Sequence, residues 1–225
     1  MARSGAGGHY LRSTTANFDV SVLQAAYSMH CWARSTVAPN GGSLRPCVGY
    51  VGGSGGQVPQ NLLLWDHSSA GFSHAAQHRR GGGTYDTAQT TTVPSTNTWY
   101  AYGVAFDSST LKVYLNGTNE TTDSSVGTSS TFASWLTALG QVNSLGALDG
   151  GAQFSNGEVA EVAVWKAALN ADEFNALAKG FSPRRIRPAS LVAYLPLVRD
   201  TLDLFGIALT EINSPTVTDH PRVIG

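Results

Sequence analysis

Hydrophobic and polar residues alternate along several short segments of this chain, which is the pattern of β-strands with two differently packed faces. Residues 27–34 (YSMHCWAR) are the clearest example, because Met29 and Cys31 fall on one face and Trp32 and Arg34 on the other. Comparable segments lie at residues 47–51, 62–65, 72–78, 97–106, 111–115, 159–165, 190–197 and 207–212. Short strands separated by turns predict an all-β fold in two stacked sheets.

Two features near the middle of the chain predict local geometry. On one face of residues 97–106, Gly103 lies between two alanines, which indicates that another part of the chain approaches this backbone closely. Asn116-Gly117 follows residues 111–115 and tolerates two positive φ angles, so it predicts a tight hairpin turn.

One helix is predicted, and it begins after Asn170. The Asn170 side chain is suited to capping free backbone N–H groups, and Glu173 stands three residues later, as in a capping box. Phe174 and Leu177 form an apolar stripe, and Gly180 lies where a helix ends in a left-handed residue.

Charge is sparse and balanced in this chain of 225 residues. Charged residues make up 13% of the sequence and the formal net charge is -1. A long-range field that would attract nucleic acid or an anionic membrane is therefore not expected.

The cysteines and the N-terminus bear on the compartment. Cys31 and Cys47 are the two cysteines, and both a single bridge and two buried thiols remain open. Residues 1–8 lack the apolar core of a signal peptide, and no window has the apolar length of a transmembrane helix. We expect a product that stays in the cytoplasm that made it, or leaves by a route other than signal-directed secretion.

The sequence predicts no catalytic residues. A glycosidase needs two carboxylates on one strand face, and the three-residue spacing of Glu158 and Glu161 predicts opposite faces. His74 and His78 share a face, but no cysteine or carboxylate completes a zinc site at the usual spacing. The Gly-x-Ser-x-Gly pattern of serine hydrolases occurs at Gly52–Gly56, but this glycine-rich run is interpreted as a loop, whereas a nucleophile elbow needs a strand-to-helix turn.

Four segments together resemble the laminin-G-like, pentraxin-like domains of the concanavalin-A-like lectin and glucanase superfamily. They are residues 27–34, residues 98–117 (TWYAYGVAFDSSTLKVYLNG), the ALGQ segment around Gly140, and residues 154–180 (FSNGEVAEVAVWKAALNADEFNALAKG). The resemblance covers about residues 8–180. It implies a jelly-roll sandwich of two antiparallel sheets with one short C-terminal helix, followed here by an extended tail.

One departure from the family pattern concerns calcium. Where the family commonly has Gly-x-Ile-Asp-Glu-Val, this chain has Ala160 in place of the aspartate. Calcium needs several oxygen ligands, so this loss argues against a family-type Ca²⁺ site. Asp107, Asn143 and Asp149 could still contribute oxygen ligands, but turn formation is the preferred role for them. We therefore expect no metal site and no cofactor, with a bound Ca²⁺ as the alternative left open.

The chain divides into a sandwich over residues 1–180 and an Arg- and Pro-rich linker with a strand-bearing tail over residues 181–225. The tail either packs on its own sandwich or pairs with a neighbouring subunit, because an open sheet edge recruits strands. The intramolecular arrangement is preferred. The residues predicted to contact a partner are Arg184, Arg185, Arg187, Tyr194 and Leu195.

Aromatic residues beside polar ones are the candidates for a glycan site, because sugars stack on exposed rings. Burial in the core is the alternative for each ring. The predicted glycan-binding residues are Trp65, Asp66, His67, Tyr85, Asp86 and Asn97.

The resemblance extends to laminin-G-like proteins of bacteriophages, partly through the segment Arg-Pro-x-Ser-Leu-Val-x-Tyr-Leu-Pro-Leu at residues 187–197. It implies a non-enzymatic virion protein, such as a capsid decoration, fibre or tail-associated subunit, assembled in the host cytoplasm. Its expected partners are other virion proteins or copies of itself in a homo-oligomer, and cell-surface glycans. The alternative is a free carbohydrate-binding lectin.

Overall fold

The computed structural model describes residues 2–5, 10–13, 25–36, 46–51, 61–67, 73–79, 85–124, 126, 135–138, 157–197, 205, 209–212 and 216–224. Within these ranges the chain forms fifteen β-strands, the α-helix α1 (Ala171–Ala178), and the 3₁₀ helices Pro183–Arg185 and Pro188–Ser190. In chain order the strands are β1 (Ala2–Gly5), β2 (Tyr10–Ser13), β3 (Tyr27–Ser35), β4 (Pro46–Val51), β5 (Asn61–His67), β6 (Ser73–Arg79), β7 (Tyr85–Gln89), β8 (Tyr100–Phe106), β9 (Leu111–Leu115), β10 (Thr118–Asp123), β11 (Trp135–Ala138), β12 (Gly157–Trp165), β13 (Leu191–Leu195), β14 (Leu209–Ile212) and β15 (Thr216–Thr218).

The strands form two antiparallel sheets. The first sheet has the order β10-β9-β8-β3-β12-β1-β15. Strands β1 and β13 pair with the same edge of β12, β1 along its first residues and β13 along its last ones. The second sheet has the order β14-β2-β11-β4-β5-β6-β7. Contacts of β7 with β9 and β10, and of β3 with β4, show that the sheets are stacked. The predicted all-β sandwich of two antiparallel sheets is confirmed.

The main hydrophobic core lies between the two sheets. The inward face of β3 contributes Tyr27, Met29 and Cys31, which are almost fully buried. Tyr27 packs against Phe106 of β8, with ring centroids 5.4 Å apart. The strict alternation seen in the sequence of β3 therefore marks one face for this core and leaves the other for the outer face of the first sheet.

Helix α1 covers part of that outer face. Asn170 caps the helix, and its side chain and that of Glu173 exchange hydrogen bonds with each other's backbone N–H groups, as the sequence predicts. Phe174 stacks on Tyr114 and lies over Gly103, where an added Cβ would come within 2.6 Å of the ring. The predicted close approach to Gly103 is thus confirmed, and a second apolar cluster forms beneath α1.

The predicted hairpin turn is also present. Asn116 and Gly117 have φ angles of 49° and 82°, and they join β9 to β10. A Cβ at Gly117 would lie 2.6 Å from the Cα of Asn175 in α1. Glycine is therefore required here both by the turn and by the packing of the helix.

Strand β12 contains a β-bulge that the sequence pattern does not reveal. Ala160 pairs with Trp32 and Ala163 with His30, so residues 161 and 162 together oppose one residue of β3. Glu161 has a φ of 53°, in the left-handed region that glycine normally occupies at such bulges. The extra residue shifts the alternation of side chains along β12 by one position.

The bulge corrects one expectation. Glu158 pairs with Arg34 and Glu161 accepts a hydrogen bond from Tyr194, and both of these partners belong to the outer face of the first sheet. The expectation that the two glutamates point to opposite faces is therefore wrong, because the bulge interrupts the alternation between them.

The C-terminal segment pairs within its own chain. Strand β13 pairs with β12, β14 with β2, and β15 with β1. Residues 181–225 thus contribute strands to both sheets. The division of the chain at residue 180 stays a prediction.

The redox state of the cysteines stays open. Cys31 is buried between the sheets, and the side chain of Cys47 lies outside the described residues.

Candidate functional site

A groove of about 540 Å³ opens on the outer face of the first sheet, beside the C-terminal end of α1. Its volume falls within the range of about 300–1,000 Å³ that is usual for small-molecule sites. It is lined by residues from β3, the loop before β8, the end of α1 and the C-terminal tail, namely Trp32, Trp99, Ala178, Lys179, Gly180, Pro221, Arg222 and Ile224.

The two tryptophans give the groove its aromatic surface, and both are half-buried. Trp32 faces outward because its neighbours along β3 alternate into the core. The residues paired with Trp32 on the two flanking strands are Ala101 and Ala160. These short side chains leave the indole uncrowded, and one side of it faces the groove.

Arg34 fixes the second tryptophan. Its guanidinium lies 5.2 Å from the centroid of the Trp99 ring and also forms an ion pair with the buried carboxylate of Glu158. Hydrogen bonding to Glu158 raises the pKa of Arg34. The charge of Arg34 is therefore balanced by Glu158, and its planar group supports one face of the indole.

The end of α1 forms one wall. The N–H of Gly180 donates to the carbonyl of Leu177, and the N–H of Phe181 donates to the carbonyl of Ala176. This pair of bonds is a Schellman motif, which requires the left-handed φ of 88° at Gly180. Lys179, the residue before this glycine, is thereby held in place at the groove.

The C-terminal tail forms an adjoining wall. The N–H of Ile224 donates to the carbonyl of Gly180 over 2.5 Å, and the N–H of Ser182 donates to the carbonyl of Ile224 over 3.1 Å. A Cβ at Gly180 would lie only 2.6 Å from the carbonyl oxygen of Arg222. The tail reaches its position against the helix end because residue 180 has no side chain.

A buried polar cluster tethers the tail to the bulge. The Tyr194 hydroxyl donates to Glu161 Oε2 over 2.5 Å, and His220 Nε2 lies 3.0 Å from Glu161 Oε1. Burial, and then the nearby Glu161 carboxylate, raise the pKa of Tyr194, so this hydroxyl stays protonated and donates. His220 directly precedes Pro221 in the groove wall, which makes Glu161 an anchor for that wall.

The charges and rings of the lining determine what the groove can contact. Among the lining residues the charged ones are Lys179 and Arg222, and none is a carboxylate. The nearby Glu158 is engaged by Arg34. Two indole surfaces can stack on a flat or ring-shaped group, and two cations can bond to its polar substituents.

The predicted glycan-binding residues do not come together. Asp86 pairs with His78 of β6, and His78 pairs with Asn61 at the start of β5, so Tyr85 and Asp86 lie level with the start of β5. Trp65, Asp66 and His67 lie at the end of β5. Four to seven strand positions therefore separate members of the two groups, which is roughly 13–23 Å along the strand direction. The side chains of Tyr85 and of residues 65–67 lie outside the described residues.

Two of the predicted residues have described side chains. Asp86 is 5% exposed and shares the inward face of β7 with Ala88, which belongs to the inter-sheet core. Asn97 is exposed and has a left-handed φ of 58°. Its N–H donates to the carbonyl of Ser35 over 2.7 Å, and it lies two residues before Trp99. Asn97 thus shapes the loop that delivers one wall of the groove.

The predicted partner-binding residues divide into two groups. Arg184 and Arg185 are exposed, whereas Arg187 is paired with Glu173 and donates to the carbonyl of Ala168.

Tyr194 and Leu195 are buried within this chain, at 5% and 0% exposure. Their side chains therefore leave no surface for a partner to contact, and the arginines remain as the accessible part of this prediction.

Sequence reasoning missed Trp32, Trp99, Lys179 and Arg222 as members of one site. The alternation in residues 27–34 places Trp32 and Arg34 on the same face of the strand, which is a usable signal for part of the site. The position of Arg222 had no comparable signal, because it depends on where the tail folds.

The described residues contain no group of three or more His, Cys, Asp or Glu side chains that would hold a metal ion. Asp107 accepts hydrogen bonds from the backbone N–H groups of Ser109 and Thr110, which is the role in a turn that the sequence suggests. Asn143 and Asp149 lie outside the described residues. Whether calcium binds stays a prediction.

A two-sheet sandwich with these features defines a lectin-like fold. The chain belongs to the Laminin_G_3 family of the concanavalin A-like lectin/glucanases superfamily, whose family model matches residues 5–175. The resemblance inferred from the sequence is thereby confirmed. No curated protein sequence matches the chain significantly.

Solved structures share this fold at low sequence identity. A candidate carbohydrate-binding protein from Bacteroides ovatus has a TM-score of 0.68 at 17% identity, covering 100% of this chain and 61% of its own. A heptameric SAP-like pentraxin from Limulus polyphemus has a TM-score of 0.57 at 13% identity, covering 94% and 93%. A Trypanosoma rangeli sialidase has a TM-score of 0.54 at 14% identity, covering 78% of this chain and 26% of its own.

These similarities describe the fold. The chain spans 61% of the length of the Bacteroides protein and about a quarter of the sialidase. Of the helices described, none has the length and apolar character needed to cross a membrane.

Proposed function

We propose that this protein is a non-enzymatic carbohydrate-binding module whose binding site is the Trp32–Trp99 groove. The observation that carries the proposal is the convergence of two half-buried indoles on one open groove that has no carboxylate among its lining residues. Pyranose rings present apolar C–H faces that stack on indoles, while their hydroxyls bond to neighbouring polar groups.

The surrounding structure supports a preformed site. Trp99 is backed by Arg34, and the tail wall is attached to both α1 and Glu161. A site that is ordered before the ligand arrives loses less conformational entropy on binding. The similarity to a candidate carbohydrate-binding protein agrees with this proposal.

The test is binding to an array of immobilised glycans, followed by calorimetry with the saccharides that bind. We expect Trp32→Ala and Trp99→Ala each to weaken binding by at least about tenfold, as for a buried aromatic anchor. Trp65→Ala removes a tryptophan from the glycan-binding residues predicted by sequence, and we expect it to leave binding unchanged. If Trp65→Ala lost binding while both groove variants still bound, the binding site would lie at Trp65 and not in the groove.

A second proposal concerns assembly. We propose that the chain acts as a bacteriophage virion subunit, such as a capsid decoration, fibre or tail-associated protein, in contact with copies of itself or other virion proteins. The phage-like segment at residues 187–197 and the exposed Arg184 and Arg185 support it. The SAP-like pentraxin from Limulus polyphemus, which has a similar fold, is heptameric.

This proposal is tested by asking whether the protein co-sediments with particles from its source. It predicts co-sedimentation and a symmetric oligomer in solution. Arg184→Gln with Arg185→Gln should weaken assembly while leaving the sandwich folded. A soluble monomer that never travels with particles would contradict it.

A further inference from the structure

We infer that the Trp32–Trp99 groove selects acidic saccharides whose ring carries a carboxylate group. This inference rests on the proposed carbohydrate-binding function and names the class of sugar. Its basis is that Lys179 and Arg222 line the same groove as the two indoles, and that both charged residues of the lining are cations.

The charges around the groove leave these two cations unbalanced. Arg34 is neutralised by its ion pair with Glu158, and the exposed Asp219 acts electrostatically on Arg34. Within the described part of the chain, neither Lys179 nor Arg222 forms an ion pair with a carboxylate. A ligand carboxylate therefore gains two partners without displacing an acidic side chain of the protein.

The backbones that carry the two cations are fixed. The Schellman turn holds Lys179, and the contact with Gly180 holds the backbone of Arg222 between the buried Pro221 and the hydrogen-bonded Ile224. Both exposed cations thus border one groove from anchored backbone positions. An anchored backbone lowers the freedom that is lost when the two side chains form charge-assisted hydrogen bonds with a ligand.

The number of cations favours a single carboxylate over a highly sulfated chain. The guanidinium of Arg222 matches the two oxygens of a carboxylate, and Lys179 adds a point charge. Strongly sulfated polysaccharides need wider basic surfaces, whereas this chain has a net charge of -1 and no long-range positive field. A hexuronic acid or a sialic acid has the required combination of one carboxylate and a stacking ring.

Lys179 has one competing role. It lies at the C-terminal end of α1, where a cation stabilises the partial negative charge of the helix. If that were its whole role, Lys179→Gln would lower stability and leave the choice of ligand unchanged.

The experiment compares matched pairs of ligands by calorimetry. The pairs are oligogalacturonate with its methyl ester, and 3′-sialyllactose with lactose, with a heparin-derived tetrasaccharide as the sulfated arm. Each ligand is measured against the natural protein, Lys179→Gln, Arg222→Gln and their double variant. Lys166→Gln removes an exposed charge outside the groove lining and serves as the control.

We expect at least one acidic sugar to bind about tenfold or more tightly than its neutral partner. The double variant should reduce that ratio to about one while retaining weak binding that depends on Trp32 and Trp99. Equal affinity for both members of each pair, or a preference that survives the double variant, would overturn the inference and leave the proposed function intact. Tightest binding to the sulfated arm would also overturn it. If no saccharide binds, the proposed function fails as well.

Discussion

The outer face of the first sheet has a covered half and an open half, and the two differ in whether helix α1 packs on them. In the covered half, Gly103 lies beneath Phe174 and α1 packs directly on the sheet. In the open half, Trp32 and Trp99 project beyond the end of the helix and line a groove. The helix thus packs on the sheet where Gly103 leaves room for Phe174, and the two indoles beyond its end line a groove.

The boundary between the halves falls within one strand. His30 and Trp32 are two residues apart on the same face of β3, yet His30 is 2% exposed and Trp32 is half-buried. The Schellman turn at Gly180 ends α1 at this boundary. The residue at which α1 ends therefore determines which part of this face of β3 stays open.

The largest effect is expected in the covered half. Phe174→Ala removes a 2%-exposed ring that stacks on Tyr114. It should lower the free energy of unfolding by about 3–5 kcal/mol, the usual cost of such a cavity. Urea denaturation measures this loss. Trp99→Ala in the open half should cost much less, and an equal cost for the two would break the distinction between the halves.

The second prediction uses the pH dependence of the covered half. Burial lowers the pKa of His30 from 6.5 to about 3, against an opposing hydrogen bond with the backbone of Tyr102. Between about pH 3 and pH 6.5 the unfolded chain binds more protons at His30 than the folded chain does. The stability that neutral His30 contributes is therefore fully present above about pH 6.5 and is lost as the pH falls.

The pH dependence of the free energy of unfolding is limited here because His30 binds a single proton. The free energy of unfolding should fall by about 2–3 kcal/mol between pH 6.5 and 4.5, at no more than about 1.4 kcal/mol per pH unit. Denaturation series of the natural protein and of His30→Gln isolate this contribution. An NMR titration in which His30 protonates near pH 6.5 would show that water reaches the covered half.

The third prediction concerns the boundary. Gly180→Ala places a Cβ at a φ of 88° and 2.6 Å from the carbonyl oxygen of Arg222. The left-handed backbone alone should cost about 1–2 kcal/mol of stability. The displaced tail should also weaken saccharide binding, measured by calorimetry. Unchanged affinity in a folded Gly180→Ala protein would show that the tail wall is dispensable.

The smallest effect is expected for the tether of the tail. His220→Ala removes the contact with Glu161 and should cost about 1 kcal/mol of stability, together with several-fold weaker saccharide binding. His220 does not line the groove, so lost affinity would mark it as a positioning residue. Asp172→Ala, on the exposed first turn of α1, should leave affinity unchanged.

Much of the fold was predictable because its signals are local. The alternation along β3, the capping box at Asn170 and the turn at Asn116-Gly117 each depend on residues close in sequence, and the structure confirms all three. The bulge at Glu161 was not predictable, because a left-handed glutamate is held there by Tyr194 and by residues far along the chain.

The site was predictable only in part for the same reason. Trp32 and Trp99 are 67 positions apart, and they meet because β3 pairs with β8. Arg222 reaches them through the contact between Gly180 and the tail. The sequence predicted stacking on exposed aromatic rings, the chemistry that we now propose for Trp32 and Trp99, but nothing local distinguishes these rings from Trp65.

The most direct test of the central claim is an NMR titration with a saccharide that is known to bind. It follows the indole N–H signals of all the tryptophans as the saccharide is added. We predict that Trp32 and Trp99 shift saturably with one dissociation constant. Trp165 should stay unchanged, because its buried indole N–H donates to the carbonyl of Ile186 over 2.8 Å. Saturable shifts confined to Trp65, with Trp32 and Trp99 unmoved, would contradict the account.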